Sequence, residues 1–85
     1  MRFEWTKAPA GDGFVDYDLH VTTGNVDDEF VGYVRYAPST GDAVVRECLN
    51  AGAIPSDGKE FYSVRTAMRV LRDEIRVAIL GGATP

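Results

Sequence analysis

The last third of the chain carries one amphipathic helix pattern, and this pattern limits the fold more than any other feature of the sequence. Apolar side chains recur there at steps of three and four, the spacing of a single helix face. They are Val64, Ala67, Met68, Leu71, Ile75, Ala78 and Ile79. Ser63 is a good N-cap, and Tyr62 can pack against the helix as the residue before the cap. Gly81-Gly82 favours the end of the helix. The pattern predicts a helix of about 25 Å over residues 64–80.

Two segments before the helix alternate between apolar and polar side chains, as strands half-buried in an antiparallel sheet do. Residues 2–7 place Phe3 and Trp5 on one face. Residues 14–23 alternate over their whole length, with Val15, Tyr17, Leu19 and Val21 on one face and Asp16, Asp18, His20 and Thr22 on the other. Clusters of turn-forming residues at 9–13 and 23–28 separate the segments. We predict two strands here.

A third segment, residues 29–37, is rich in aromatic and β-branched residues, which favours a strand. Strict alternation places Phe30, Val34 and Tyr36 on one face and Val31, Tyr33 and Arg35 on the other. Both faces are substantially apolar. The segment is therefore predicted to be a central strand or to line a contact surface.

Residues 43–50 fit two structures. A strand is favoured because residues 38–42 have the length and composition of a hairpin loop. A helix is the alternative, since Val44, Val45, Cys48 and Leu49 also form a helical stripe that Asp42 could cap. The sequence therefore predicts one small α+β domain over residues 1–85, an antiparallel four-stranded meander with one C-terminal helix packed on one face (ββββα), with βββαα as the alternative.

Composition excludes several classes of function. The chain has 85 residues, a formal charge of −4 and one cysteine, which cannot form an internal disulfide or by itself make a thiolate metal site, and a chain of this length has little room for a catalytic cleft. Its acidity argues against direct nucleic-acid binding. No apolar run is long enough to cross a membrane, and the start lacks the pattern of a signal peptide. We expect a cytoplasmic, non-enzymatic protein without cofactor or metal.

Four arginines on the predicted helix are the most informative charged pattern. Arg65, Arg69, Arg72 and Arg76 are spaced by four, three and four, so they share one helix face beside the apolar stripe. Guanidinium groups in register can bind carboxylates or phosphates. The alternative interpretation is a solvated helix face whose arginine stems shield the edge of the core.

Acidic side chains form two further candidate sites. Asp16 and Asp18, with His20, share one strand face and could hold a cation or act as an acid and base, although the solvated face of any antiparallel strand looks the same. The run Asp27-Asp28-Glu29 is either a solvated turn or a phosphate mimic. Cys48 is interpreted as a small core side chain. The residues predicted to bind a partner are Asp16, Asp18, Asp27, Asp28, Glu29, Arg65, Arg69, Arg72 and Arg76.

The layout of the aromatic residues resembles that of small meander-plus-helix accessory proteins of phages and prophages, anti-CRISPR proteins among them. The residues that carry the resemblance are Phe3-Glu4-Trp5, Phe14, Tyr17, Tyr33, Tyr36, Phe61-Tyr62-Ser63 and Ala67. HicB-type antitoxins are a second comparison, but this chain lacks their glycine-rich strand pattern. The resemblance implies an inhibitor and assigns no functional residue.

These observations lead to two expectations of function. The first is a binding or inhibitor protein, in its specific form an anti-CRISPR that blocks a CRISPR effector subunit with its acidic strands or its arginine helix. The second is a small nucleic-acid-binding or antitoxin-like regulatory protein that uses the arginine helix. Because the predicted sheet has exposed edges, homodimerisation is compatible with both expectations.

Overall fold

The computed structural model of the protein describes residues 1–24, 27–48 and 54–81, and these form one sheet and one helix. The elements are β1 (Arg2–Gly11), β2 (Phe14–Thr22), β3 (Glu29–Ala37), β4 (Asp42–Glu47), β5 (Glu60–Phe61) and α1 (Val64–Gly81). The strands pair antiparallel in the order β1-β2-β3-β4-β5. The predicted α+β meander with a C-terminal helix is confirmed, and β5 is an additional strand.

The uncertain fourth segment is a strand over Asp42–Glu47, so the helical alternative is wrong for these residues. Ala43 and Val45 are fully buried while Val44 between them is not, which is the alternation of a strand. The predicted strand extended to residue 50. Its last two positions, like residues 25–26 of the predicted turn at 23–28, lie outside the described residues.

The first strand is longer than predicted because it continues through Pro9. β1 is an edge strand, which tolerates proline where the missing N–H would face away from the neighbouring strand, and its register shifts between Pro9 and Gly11. Asp12 and Gly13 then make the turn with φ of 53° and 82°. Two positive φ values are typical of the type I′ turn that joins hairpin strands.

Strict alternation fails in β3, where the predicted faces of Phe30 and Val31 are wrong. His20 pairs with Phe30 and Leu19 pairs with Gly32, so Val31 has no partner in β2 and forms a β-bulge. Val31 is fully buried, whereas Phe30 is 41% exposed. The bulge therefore turns Val31 into the core and places Phe30 on the opposite, open face.

The helix begins and packs largely as predicted. The backbone N–H of Thr66 donates to the Ser63 Oγ at 3.3 Å, which confirms the N-cap. Tyr62, in contrast, is 88% exposed and does not pack in front of the cap. The predicted stripe faces the sheet, with Ala67, Leu71 and Ile75 fully buried and Val64, Met68, Ala78 and Ile79 packed around them. The predicted terminator Gly82 lies outside the described residues.

The helix covers only part of the sheet. It lies over β3, β4 and β5, rather than across all strands. Leu19 and Val21 of β2 are buried, but Phe3, Trp5 and Tyr17 on the same side of β1 and β2 are only partly buried. One flank of α1 therefore lies beside an aromatic surface of β1 and β2 that the helix does not cover. Within the described residues, no helix is long and apolar enough to cross a membrane.

Candidate binding groove

The gap between α1 and the β1–β2 hairpin is a groove of about 530 Å³. It is lined by Trp5, Tyr17, Val64, Arg65, Met68, Arg69 and Arg72. Three of the four predicted arginines therefore meet in one concave site. We refer to these seven residues as the basic groove.

Aromatic side chains from the hairpin form the floor of the basic groove. Trp5 and Tyr17 lie on the helix side of the sheet because they alternate in phase with the core residues of their strands. Lys7 is the register partner of Tyr17, and its Nζ lies 5.8 Å from the centre of the tyrosine ring. The floor is thus apolar with one cation at its end, and Lys7 was not among the predicted residues although it alternates in phase with Trp5.

Arginines of α1 form the wall. The three- and four-residue spacing brings Arg65, Arg69 and Arg72 to the same flank of the helix. Arg72 donates to the adjacent Asp73 carboxylate at 3.2 Å. Arg76 lies outside the groove, with its guanidinium carbon 5.3 Å from the centre of the Phe3 ring, as in cation–π contacts.

The groove is strongly cationic for a protein of net negative charge. No acidic side chain lines it, and within the described residues Arg65 and Arg69 form no ion pair. Arg65 also lies in the first turn of α1, which contains no acidic residue. A cation there opposes the helix dipole, so helix stability does not account for it.

The predicted acidic residues of β2 lie on the other side of the sheet, and one of them is already paired. Arg35 of β3 donates from Nε and Nη2 to the two carboxylate oxygens of Asp16, at 2.9 and 3.0 Å. The pKa of Arg35 is raised, chiefly by this hydrogen bonding and against the opposing effect of partial burial. Asp18 has no ion pair in the described part of the chain. The acidic face is therefore partly neutralised.

In the acidic run at the β2–β3 connection, Asp28 has structural contacts. The backbone N–H of Asp28 donates to Thr22 Oγ1 at 3.1 Å, and its Oδ1 lies 3.4 Å from His20 Nδ1. Asp27 and Glu29 are exposed. Among the described residues, no three His, Cys, Asp or Glu side chains are close enough together to hold a metal ion. Asp16, Asp18 and His20 are therefore not brought together as a set of three ligands.

Cys48 is exposed, so its interpretation as a core residue is wrong. Its backbone N–H donates to the Val31 carbonyl just beyond the end of β4. Partial desolvation raises the pKa of its thiol, and the negative charges of Glu47, Asp57 and Asp18 raise it further. An exposed thiol with a raised pKa is accessible but a poor nucleophile at neutral pH.

This environment predicts slow alkylation of Cys48. At neutral pH, iodoacetamide is expected to modify it more slowly than a cysteine in an unstructured peptide, because less thiolate is present. The alkylation rate should rise with pH, and the midpoint of this rise should lie at a higher pH than for the peptide. Asp18→Asn removes one negative charge and should accelerate the reaction, as measured by mass spectrometry, whereas Asp12→Asn should have no effect. A rate equal to that of the peptide would contradict the prediction.

Comparison with known proteins adds no family to this description. No protein-family model matches the chain, and no curated protein or solved structure matches it significantly.

Proposed function

We propose that this protein is a non-enzymatic binding protein that inhibits or regulates an acidic protein partner through the basic groove. The observation that supports the proposal is the combination of unpaired arginines with an apolar floor in one concavity. Arg65 and Arg69 have no ion pair in the described part of the chain, and Trp5 and Met68 lie beside them. A peptide segment with an apolar side chain between carboxylates is complementary to both features.

The overall charge favours a protein partner over nucleic acid. The chain carries a net charge of −4, and Asp18 and Asp16 line the opposite face of the sheet. Polyanions bind most strongly where basic residues follow the backbone over many phosphates. Arg65 and Arg69 span only about 6 Å along the helix. This short cationic stretch suits a local acidic motif.

Single-stranded nucleic acid is the second candidate, and one observation favours it. Trp5 and Tyr17 present partly buried rings beside the arginines of the groove. Unpaired bases stack on such rings while cations bind the adjacent phosphates. A site of this size would bind only a few nucleotides.

The resemblance in layout suggests a narrower form of the first proposal, in which the partner is an acidic surface on a CRISPR effector subunit. The basic groove would dock there and block the effector without chemistry. The sequence suggested binding through either the acidic strands or the arginine helix. This form of the proposal uses the arginine helix, because the Asp16 carboxylate on the acidic side is already paired with Arg35.

The experiment uses the single tryptophan as a reporter, since Trp5 lies in the groove. The probe is a synthetic acidic peptide with one leucine between aspartates and glutamates, titrated while Trp5 emission is recorded. The variant Arg65→Glu/Arg69→Glu should weaken binding about 30-fold, because it removes two solvent-exposed ion-pair contacts of about 1 kcal/mol each. Arg65→Glu places an acid in the first helical turn, so loss of binding is not expected to reflect unfolding.

The matched control is Arg2→Glu/Lys59→Glu, which changes the net charge equally at two exposed sites that do not line the groove. It should leave affinity within about twofold of the parent protein, since its charges are distant and screened. Equal weakening by both double variants would show a nonspecific charge effect and would contradict the proposal. Tighter binding of an oligothymidine probe than of the peptide would favour the nucleic-acid alternative.

A further inference from the structure

We propose that the open face of the sheet, opposite α1, binds a second copy of this chain in a two-fold symmetric dimer. The residues that define this open face are Phe14, Asp16, Asp18, Phe30, Tyr33, Arg35, Val44 and Arg46. None of them belongs to the basic groove. The inference is therefore independent of the function proposed for the groove.

Apolar side chains make the open face unlike an ordinary solvated sheet surface. Phe14 and Phe30 are 40% and 41% exposed, and the Phe30 ring stacks on Tyr33 with centroids 6.4 Å apart. Next to Tyr33 is a concavity of about 400 Å³ that Phe14 and Val44 also line. In the described part of the chain, the only helix packs on the other side of the sheet. The described residues thus leave these aromatic rings partly exposed on the open face.

The charges of the open face are arranged in a self-complementary row. Tyr33 of β3 pairs in register with Asp18 of β2 on one side and with Arg46 of β4 on the other. Asp18 and Arg46 thus lie about 10 Å apart across the row, on opposite sides of the tyrosine. Neither forms an ion pair within the described residues. In a second molecule, the same row offers Arg46 as a partner for Asp18 and Asp18 as a partner for Arg46.

A two-fold axis along β3 brings these charges together. Such a rotation places β2 of one copy over β4 of the other at the same height. Asp18 of each copy then faces Arg46 of the other copy, which gives two equivalent contacts. Sheets pack about 10 Å apart, a gap that an arginine and an aspartate can span. Residues on β3 meet their own symmetry mates. Phe30 and Tyr33 form an aromatic contact with their counterparts there. The two Arg35 side chains also face each other, but their repulsion is weak because Asp16 already neutralises each of them.

The available area fits a reversible dimer of this kind. Strands spaced by about 4.8 Å and rising about 3.3 Å per residue give the face a projected area on the order of 500 Å². Two copies therefore bury about 1,000 Å², which is the lower limit for a specific interface. We expect a dimer that dissociates on dilution.

The test is a charge-swap experiment with the full chain. By sedimentation velocity, the parent protein should shift from monomer to dimer as its concentration rises. Asp18→Arg alone and Arg46→Asp alone should each remain monomeric, because every symmetric contact then joins like charges. An equimolar mixture of the two variants should dimerise again, since both contacts in the heterodimer join opposite charges.

Recovery in the mixture separates this contact from misfolding, because a chain that does not fold cannot be rescued by a second variant. Circular dichroism of each variant checks the fold directly. A parent protein that stays monomeric at all concentrations would overturn the proposal. So would a dimer that both single variants retain, which would indicate pairing through another surface such as the β1 edge, or a mixture that stays monomeric.

Discussion

Gly32→Ala is expected to lower the free energy of unfolding by about 3 kcal/mol, at the upper end of the usual cost of overpacking. A Cβ atom at this position would lie 2.6 Å from the backbone oxygen of Arg46 and 3.4 Å from Leu71 Cδ1. The oxygen belongs to the neighbouring strand β4 and cannot move without disturbing the ladder. Gly32 therefore permits the close approach of the β3 and β4 backbones at this position.

Urea unfolding followed by circular dichroism measures this effect. The matched control is Gly24→Ala, because a Cβ there meets no atom within 4 Å and the residue has no positive φ. It should change stability by less than about 0.5 kcal/mol. Adding Leu71→Ala to Gly32→Ala should not restore stability, since the backbone oxygen is the nearer obstacle. A loss below about 1 kcal/mol for Gly32→Ala would contradict this prediction and show that β3 and β4 move apart easily at this position.

Glu74→Ala is expected to cost about 2 to 3 kcal/mol, because it leaves two buried donors without an acceptor. Ser56 is only 3% exposed, and its backbone N–H and its Oγ both donate to Glu74 Oε1, at 2.9 and 2.5 Å. These hydrogen bonds fasten the segment before β5 to the helix. Ile54 of the same segment lies in the core, so loosening the segment also exposes apolar surface.

Asp73→Ala is the control for Glu74→Ala, since Asp73 is exposed and, within the described part of the chain, hydrogen-bonds only to the adjacent Arg72. It should change stability by less than about 0.5 kcal/mol. A double-mutant cycle between Glu74→Ala and Ser56→Ala should show coupling of about 1 kcal/mol or more. Equal effects of Glu74→Ala and Asp73→Ala would contradict the structural role assigned to Glu74.

Local patterns predicted much of the fold. The three- and four-residue spacing identified the helix and its buried face, and Ser63 marked its start. The β-bulge at Val31 was not predictable from alternation, because a bulge depends on pairing with β2 and leaves the composition of the strand unchanged. β5 was missed for a related reason, since two residues carry no period.

The candidate sites were predicted less completely than the fold. Helical geometry alone aligned Arg65, Arg69 and Arg72, but their aromatic counterpart Trp5 lies more than fifty residues away in the chain. The pairing of Asp16 with Arg35 likewise depends on strand register. Their roles in binding remain predictions.

The order of residues along this chain determined its helix, the main strands and the side of the helix that carries positive charge, because these depend on periods of two and 3.6 residues. Tertiary structure decided where the helix lies. The helix packs over β3, β4 and β5, so its arginine flank lies beside β1 and β2 and forms the basic groove with them. Strand register decided the charges of the open face by placing Asp18, Tyr33 and Arg46 in one row. Such neighbours arise from contacts between segments distant in the chain, which no local period encodes.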